Sequence, residues 1–349
     1  MLLRHGDDKK RAEVSGHLGL LLDQQGRIAE ALEPHTQALT YAHALNDMNT
    51  LAIVLRNASV NRIHAGDARG AHALLEESLR CMAQTDSAGG NEHSHHLLIA
   101  VCADLGDFDD ALHHADLALA AFQKRDVGWL GPTRTMRCGL WLHLAQWTRA
   151  LQELDAPITD RLPAHTQARR LTLRARALAA LGQPVQALLE EALVLAPATG
   201  RIDCRLLVQL ESMHHASPDH VLVLADQIGA AARANGLHGF ELWALVRSMG
   251  AALQLLGPAE LMRRSARVDE LAPTTYCYGT SRAELWLAQA AAAHARGDIE
   301  AQRRHANEGR EWLTTCAQKH VPEPFRDSYL NRNPVNRDLL ALASRLLGH

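Results

Sequence analysis

Histidine is the residue type in this chain that is best suited to chemistry. The 349 residues include 21 histidines, and five of them fall in two close groups: His93, His95, His96, His113 and His114. Adjacent histidines on a helix point about 100° apart, so each adjacent pair offers one ligand to a given site. A metal would also need a third ligand and an orienting partner. We therefore predict histidines that face solvent or the edge of the core, with no metal and no catalytic residue.

Sequence motifs for catalysis and cofactor binding are missing. The chain has no G-x-x-x-x-G-K-[ST], G-x-G-x-x-G, H-E-x-x-H or G-x-S-x-G pattern. Its six cysteines form no C-x-x-C pair and fit buried, reduced thiols. We predict a protein that is not an enzyme and has no cofactor, with a helical metal enzyme that uses the histidine groups kept as a distant alternative.

Composition and charge narrow the class of protein. The aromatic share is only 4% and the hydrophobic share 47%, which favours helices packed through small residues over a β-sandwich. A net charge of -3 gives no basic excess for direct nucleic-acid contact. No apolar run is long enough for a membrane span, and the first ten residues carry no secretory signal. We expect a cytoplasmic protein.

Turn glycines recur at a fixed interval and point to a repeat. Gly26, Gly66 and Gly106 are 40 residues apart, and Gly257 and Gly297 show the same interval. Each glycine fits the left-handed end of one helix, and the aspartate after three of them fits the cap of the next. The apolar residue two positions after each glycine is predicted to pack under the turn: Ile28, Ala68, Phe108, Trp147 and Ile299.

Small residues complete the unit. An alanine five positions after the glycine lets the second helix lie close to the first, at Ala31, Ala71, Ala111 and Ala187. In a fourth unit Ala145 takes the place of the turn glycine. A sixth unit, around His214 and Pro218, fits the expected interval between turns but few of the other positions of the pattern. Counting both gives about eight helix hairpins.

This pattern resembles the tetratricopeptide repeat (TPR), although the interval is near 40 residues and the early aromatics are mostly absent. The resemblance implies an all-α fold, a right-handed superhelix (α-solenoid) of about eight TPR-like hairpins with a C-terminal capping helix. Residues 11–316 would form the repeat array and 317–349 the capping segment and helix. Residues 1–10 would be disordered or belong to a preceding helix. Asn333 and Pro334 fit the start of the last helix.

A second resemblance concerns the whole protein. The longer, drifted units resemble the helical sensor regions of large bacterial transcription activators of the maltose-operon activator type. The stretches Phe325-Arg326 and Arg332–Arg337 resemble the C-terminus of proteobacterial regulators that carry a signal-transduction ATPase. These resemblances imply that the chain is the C-terminal, sensor portion of such a regulator.

In TPR proteins the first helix of each unit lines the concave surface. Carrying the groove positions of the repeat onto this sequence gives five candidate ligand residues: Arg56, His96, Thr135, Arg176 and Arg247. Glu13 and Asp23 are the corresponding residues of the first unit. The middle of the groove would be basic, which suits a protein or peptide partner with carboxylates or a small anionic effector. The five arginines from Arg161 to Arg176 are a further candidate surface, with an ordinary solvated helix as the simpler interpretation.

We therefore expect a non-enzymatic binding module, with a free-standing protein–protein scaffold as the alternative. Self-association is left open.

Overall fold

The structure is a computed structural model that describes residues 8–45, 47–85, 90–125, 127–157, 161–277 and 279–348. Within these ranges the chain forms seventeen α-helices and no β-strand. The first eight are α1 (Asp8–Gln24), α2 (Ile28–Ala44), α3 (Met48–Ala65), α4 (Ala68–Met82), α5 (Glu92–Leu105), α6 (Phe108–Arg125), α7 (Leu130–His143) and α8 (Trp147–Asp155). The other nine are α9 (Ala164–Ala180), α10 (Gln186–Ala198), α11 (Ile202–Ser212), α12 (Pro218–Asn235), α13 (His238–Leu256), α14 (Pro258–Leu271), α15 (Arg282–Ala295), α16 (Ile299–Lys319) and α17 (Pro334–Leu347).

Successive helices pack in pairs, α1 with α2 through α15 with α16, and each pair stacks on the next. The last helix, α17, packs on α15 and α16. The predicted all-α solenoid of about eight hairpins with a final helix is confirmed. Residues 1–7, which the first predicted segment includes, lie outside the described residues.

Left-handed residues end the first helix of most hairpins. Gly66 has φ +86° and Gly106 has φ +87°, a region that glycine enters at little cost. The carboxylate of Asp67 then accepts the N–H of Gly70 at 2.8 Å and caps α4. The predicted replacement in the fourth hairpin is also confirmed, since Ala145 has φ +55°.

The fifth turn departs from the predicted pattern. Ala187 is exposed, whereas Ala31, Ala71 and Ala111 are fully buried at the matching position. Irregular chain continues as far as Val185 before α10 begins, which shifts the register of that helix. The expectation that Ala187 lies against α9 is therefore wrong, and Val185 and Leu189 fill the core instead.

The stack of hairpins closes on itself. The N–H of Tyr276, in the loop before α15, donates to the Gly66 carbonyl at 2.9 Å. The N–H of Asp109 donates to the carbonyl of His320, just after α16, at 2.8 Å. A Cβ built on Gly26 would lie 2.0 Å from Ile202 at the start of α11. The turns of the first hairpins therefore rest against the later half of the chain.

This closure decides which turn residues are buried. Ile28, Ala68 and Phe108 are 2–3% exposed because the later hairpins cover their turns. Ile299 is 59% exposed, and no described residue lies within 4 Å of a Cβ built on the adjacent Gly297. The prediction that Ile299 packs beneath its turn is wrong because no second layer covers that edge of the solenoid.

The segment before α17 belongs to the same closure. The hydroxyl of Ser328 donates to the Leu144 carbonyl at 2.8 Å, and the side-chain amide of Asn333 donates to the His143 carbonyl at 3.0 Å. The Asn333 oxygen also accepts the N–H of Val335 at 3.1 Å, which confirms this residue as the cap of α17. The C-terminal segment thus fastens the later half of the stack to the fourth hairpin.

Candidate functional site

Arg247 projects from α13 into the interior of the closed solenoid. Its Nε donates to Glu284 of α15 at 3.1 Å, and its Nη1 donates to the Leu210 carbonyl at 2.7 Å. The side chain is only 5% exposed. Burial lowers the pKa of Arg247, but the carboxylates of Glu284 and Glu211 outweigh burial and leave it raised. The guanidinium is therefore held charged in a site with little water.

Arg176 of α9 joins the same network from the opposite side. Its Nε lies 3.2 Å from Glu211 of α11, and its Nη1 donates to the Gly279 carbonyl at 2.8 Å. One arginine thus connects the fifth hairpin, the sixth hairpin and the loop that precedes α15. Arg176 pairs with Glu211 and Arg247 pairs with Glu284, and the Glu211 carboxylate also raises the pKa of Arg247.

The other three predicted groove residues lie apart from this network. Arg56 of α3 is partly buried, and burial lowers the pKa of its guanidinium. His96 shares a hydrogen bond with Thr133 at 2.9 Å, and burial lowers its pKa to about 3, so its ring is neutral at pH 7. The Thr135 hydroxyl donates to the Gly131 carbonyl at 2.8 Å. None of the five side chains stands free on an open surface.

Glu211 and Glu284, the glutamates that pair with Arg176 and Arg247, were not predicted from the sequence. Glu284 lies thirteen positions before Gly297, the same spacing that places Glu13 before Gly26, so the repeat pattern could have found it. Counting thirteen positions back from Gly182 in the same way gives Arg169. Glu211 lies in the unit that has no turn glycine, and no comparable signal marks it.

A small cavity lies beside this network. It has a volume of about 20 Å³ and its wall includes Asp104, Arg282, Tyr329 and Asn336. Burial raises the pKa of Asp104 to about 8, although Arg169 and Arg282 act in the opposite direction. The space is about that of one water molecule. This cavity has no room for a larger ligand.

The first hairpin differs from the others. Asp23 is 1% exposed and accepts hydrogen bonds from His35 at 2.8 Å and Asn61 at 2.7 Å, so it is part of the packing. Glu13 is exposed and lines an open depression of about 90 Å³ between α1 and α3. This depression is accessible from outside in the closed form.

The histidine groups do not assemble into a metal centre. His95 and His114 face each other with their Nδ1 atoms 3.0 Å apart, and burial lowers the pKa of His114 to about 4. In the part of the chain that the structure describes, no three His, Cys, Asp or Glu side chains are placed to hold a metal ion. All six cysteines are buried free thiols, as predicted.

The basic stretch from Arg161 to Arg176 is largely used inside the protein. Arg170 donates to the Leu154 carbonyl, and Arg174 pairs with Asp155. With Arg176 bound to Glu211, at least three of the five arginines have partners within the protein. Among the described helices, none is long and apolar enough to cross a membrane.

Comparison with known proteins shows the fold. No protein-family model matches the chain, and no curated protein matches it significantly. A Rap protein complexed with Competence and Sporulation Factor superposes with a TM-score of 0.59 at 12% identity, over 97% of this chain and 99% of that one. A chain of the APC/C hetero-tetramer Cut9-Hcn1 gives 0.52 at 11% identity, over 90% of this chain and 58% of that one.

A signal-transduction ATPase with a tetratricopeptide-repeat sensor from Pyrococcus horikoshii gives a TM-score of 0.48 at 11% identity, over 90% of this chain and 51% of that one. That superposition is too loose to support an argument. The other two similarities show that the chain has a tetratricopeptide-repeat-like helical fold.

Proposed function

We propose that the chain is a non-catalytic binding module that recognises a protein, a peptide or a small anionic effector at the inner wall of its solenoid. The observation that carries this proposal is the pair Arg176 and Arg247, which form ion pairs with Glu211 and Glu284 in the interior. A ligand carboxylate offers arginine the same planar, bidentate partner as a glutamate. The ligand would therefore replace one of these internal carboxylates.

Such a ligand requires the solenoid to open. The cavity beside Asp104 holds about one water, so the layers joined at Gly66, Asp109 and Ser328 must part. Ligand binding then favours the open form over the closed form by its difference in affinity for the two. The Rap protein of the same fold, complexed with Competence and Sporulation Factor, supports a regulatory partner of this kind.

We further propose that the module is the sensor portion of a bacterial transcription regulator. The resemblance of the Arg332–Arg337 stretch to the C-terminus of such regulators supports this, and a change of curvature would reach an attached ATPase or DNA-binding module. A free-standing cytoplasmic scaffold is the alternative, and a reading frame that continues upstream of Met1 would favour the regulator.

The test is a thermal-shift and calorimetric screen of the full chain against acidic peptides and small polycarboxylates. We expect a binder whose affinity falls about tenfold, the equivalent of one charge-assisted hydrogen bond, in Arg176→Gln. Arg303→Gln, an exposed arginine of α16, is the matched control and should bind normally. The proposal fails if every compound leaves hydrogen exchange in α3, α9 and α13 unchanged.

A further inference from the structure

The outward face of α1 is apolar, and no described residue covers it. Val14, Leu18 and Leu21 follow helical spacing on one face, and they are 38%, 43% and 56% exposed. The opposite face of the helix is buried against the rest of the first two hairpins. Its buried residues are Ala12, Ser15, Gly16, Gly19 and Asp23.

The repeat interval identifies the equivalent positions in the next two hairpins. Because the first three turn glycines are 40 residues apart, the stripe Val14, Leu18 and Leu21 corresponds to two other sets. They are Val54, Ala58 and Asn61 in α3, and Ser94, Leu98 and Val101 in α5. The first set is 2%, 4% and 4% exposed, and the second is 1%, 0% and 1% exposed. The same surface is buried wherever a hairpin precedes it.

Specific contacts show what buries these positions. The side-chain amide of Asn61 donates to the carbonyl of Ile28, in the first hairpin, at 2.9 Å. The hydroxyl of Ser94 lies 3.1 Å from that of Ser78, on α4 of the second hairpin. Each stripe is therefore the stacking face of its hairpin, and α1 has a stacking face with nothing described upon it.

The two ends of the solenoid differ. Helix α17 buries Leu339 and Ala343 and turns Arg337, Asp338 and Arg345 outward. Stacks of repeats need a polar outer face at each end to stay soluble. The C-terminal end has such a face, whereas the α1 end presents valine and two leucines.

We propose that the stripe Val14, Leu18 and Leu21 is a docking surface for a helix hairpin of the same repeat type, supplied by a segment outside residues 8–348. The hairpin stacks on α1 as α3 and α4 stack on α5. This inference rests on the proposed role as an attached sensor, because it supplies the junction through which a change of curvature reaches the attached module.

The size of the stripe favours this occupant over a second copy of the chain. A stable dimer needs about 800 Å² of buried surface on each partner, more than three side chains on one helix provide. A hairpin in the same polypeptide binds at a high effective concentration and needs far less contact.

The test places an extra copy of residues 48–85 directly before Gly6 of the chain, so that its Thr85 stands nine positions before Val14, just as Thr85 stands nine positions before Ser94. We expect hydrogen exchange of the α1 amides to slow by about tenfold as the hairpin protects the helix. The double substitution Leu18→Glu with Leu21→Glu in the extended chain should abolish that protection. Val194→Glu, which changes an 80% exposed valine on α10, is the matched control and should keep it.

Unchanged exchange of α1 in the extended chain would overturn the proposal. So would concentration-dependent dimerisation of the original chain that Leu18→Glu with Leu21→Glu removes, since a second copy would then be the occupant. Ligand binding at the inner wall is tested with Arg176→Gln and is measured separately. Failure of the docking surface is therefore distinguishable from failure of the proposed function.

Discussion

At the scale of single residues, Ala145 adopts a backbone conformation that ordinarily belongs to glycine. Its φ is +55°, and it ends α7 where other hairpins have glycine. A non-glycine residue pays about 1–2 kcal/mol for this region. We predict that Ala145→Gly raises the free energy of unfolding by about 1 kcal/mol in urea titrations. Gly106→Ala should lower the free energy of unfolding, because the new Cβ would sit on a left-handed residue and would lie 2.7 Å from the Cys316 sulfur. A neutral or harmful Ala145→Gly would contradict this account.

The Arg247–Glu284 pair gives a second prediction at this scale. Arg247→Ala leaves the Glu284 carboxylate buried without its partner, and we expect a loss of about 3–5 kcal/mol in the free energy of unfolding. The double variant with Glu284→Gln should recover a large part of it. Arg27→Ala, which breaks an exposed pair with Glu30, is the control and should leave the urea midpoint unchanged. Equal effects of Arg247→Ala and Arg27→Ala would show that the buried pair is not formed.

The sequence could place Arg247 on the inner wall because its spacing from Gly257 fixes its face of the helix. It could not show that Glu284 stands opposite, since the two residues come from different hairpins. Arg169 and Glu284 each stand thirteen positions before a turn glycine, so the repeat spacing could have identified both residues. The spacing could not have identified Glu211, because the sixth unit has lost its turn glycine.

At the scale of elements, the contact between α13 and the loop before α15 is tight. A Cβ on Gly239 would lie 2.2 Å from the carbonyl oxygen of Tyr276, so Gly239→Ala must push that loop away from the helix. We expect a loss of about 1–3 kcal/mol, together with faster hydrogen exchange around Gly66, which the Tyr276 N–H contacts. The measurement is urea unfolding combined with exchange mass spectrometry.

The same helix offers the matched control. A Cβ on Gly250 meets nothing within 4 Å, and Gly250→Ala should stabilise α13 by about 0.5–1 kcal/mol. If both alanine variants behave alike, the loop does not rest on Gly239.

The helices themselves were largely predictable, because glycine turns, aspartate caps and apolar spacing act within one hairpin. Ala187 was misjudged because its turn runs on to Val185, and nothing in the Gly182 motif reveals that extension. Ile299 was misjudged for a different reason. Its turn resembles that of Phe108 in sequence but has no layer above it.

At the scale of the whole molecule, the closed interior makes stability depend on pH. Burial lowers the pKa of His96 and of His143 to about 3. The unfolded chain binds protons below about pH 6.5 while the folded chain does not, so stability is lost as the pH falls from 6.5 towards 3. The loss is at most about 1.4 kcal/mol per pH unit for each histidine. Urea midpoints from pH 7 to 4 measure it, and His96→Gln should reduce the slope.

The Asp104 carboxyl changes the stability with pH in the opposite direction to these two histidines. Burial raises its pKa to about 8, so the folded chain keeps a proton that the unfolded chain releases near pH 4. The stability that this retained proton contributes to the folded chain is lost as the pH rises towards 8. Asp104→Asn should therefore flatten the decline in stability between pH 6 and 8 and steepen the loss below pH 6. A variant with an unchanged pH profile would contradict the burial of this carboxyl.

The sequence alone determined the repeat, the pairing of helices and the left-handed turns. All of these depend on neighbours within about one hairpin, where spacing is sufficient to fix geometry. Only the tertiary structure decided that the stack closes, that Arg176 and Arg247 pair with carboxylates from other hairpins, and that no described residue covers the stacking face of α1. These features join hairpins far apart in the chain. They depend on the small rotation added at each repeat, which no local pattern encodes.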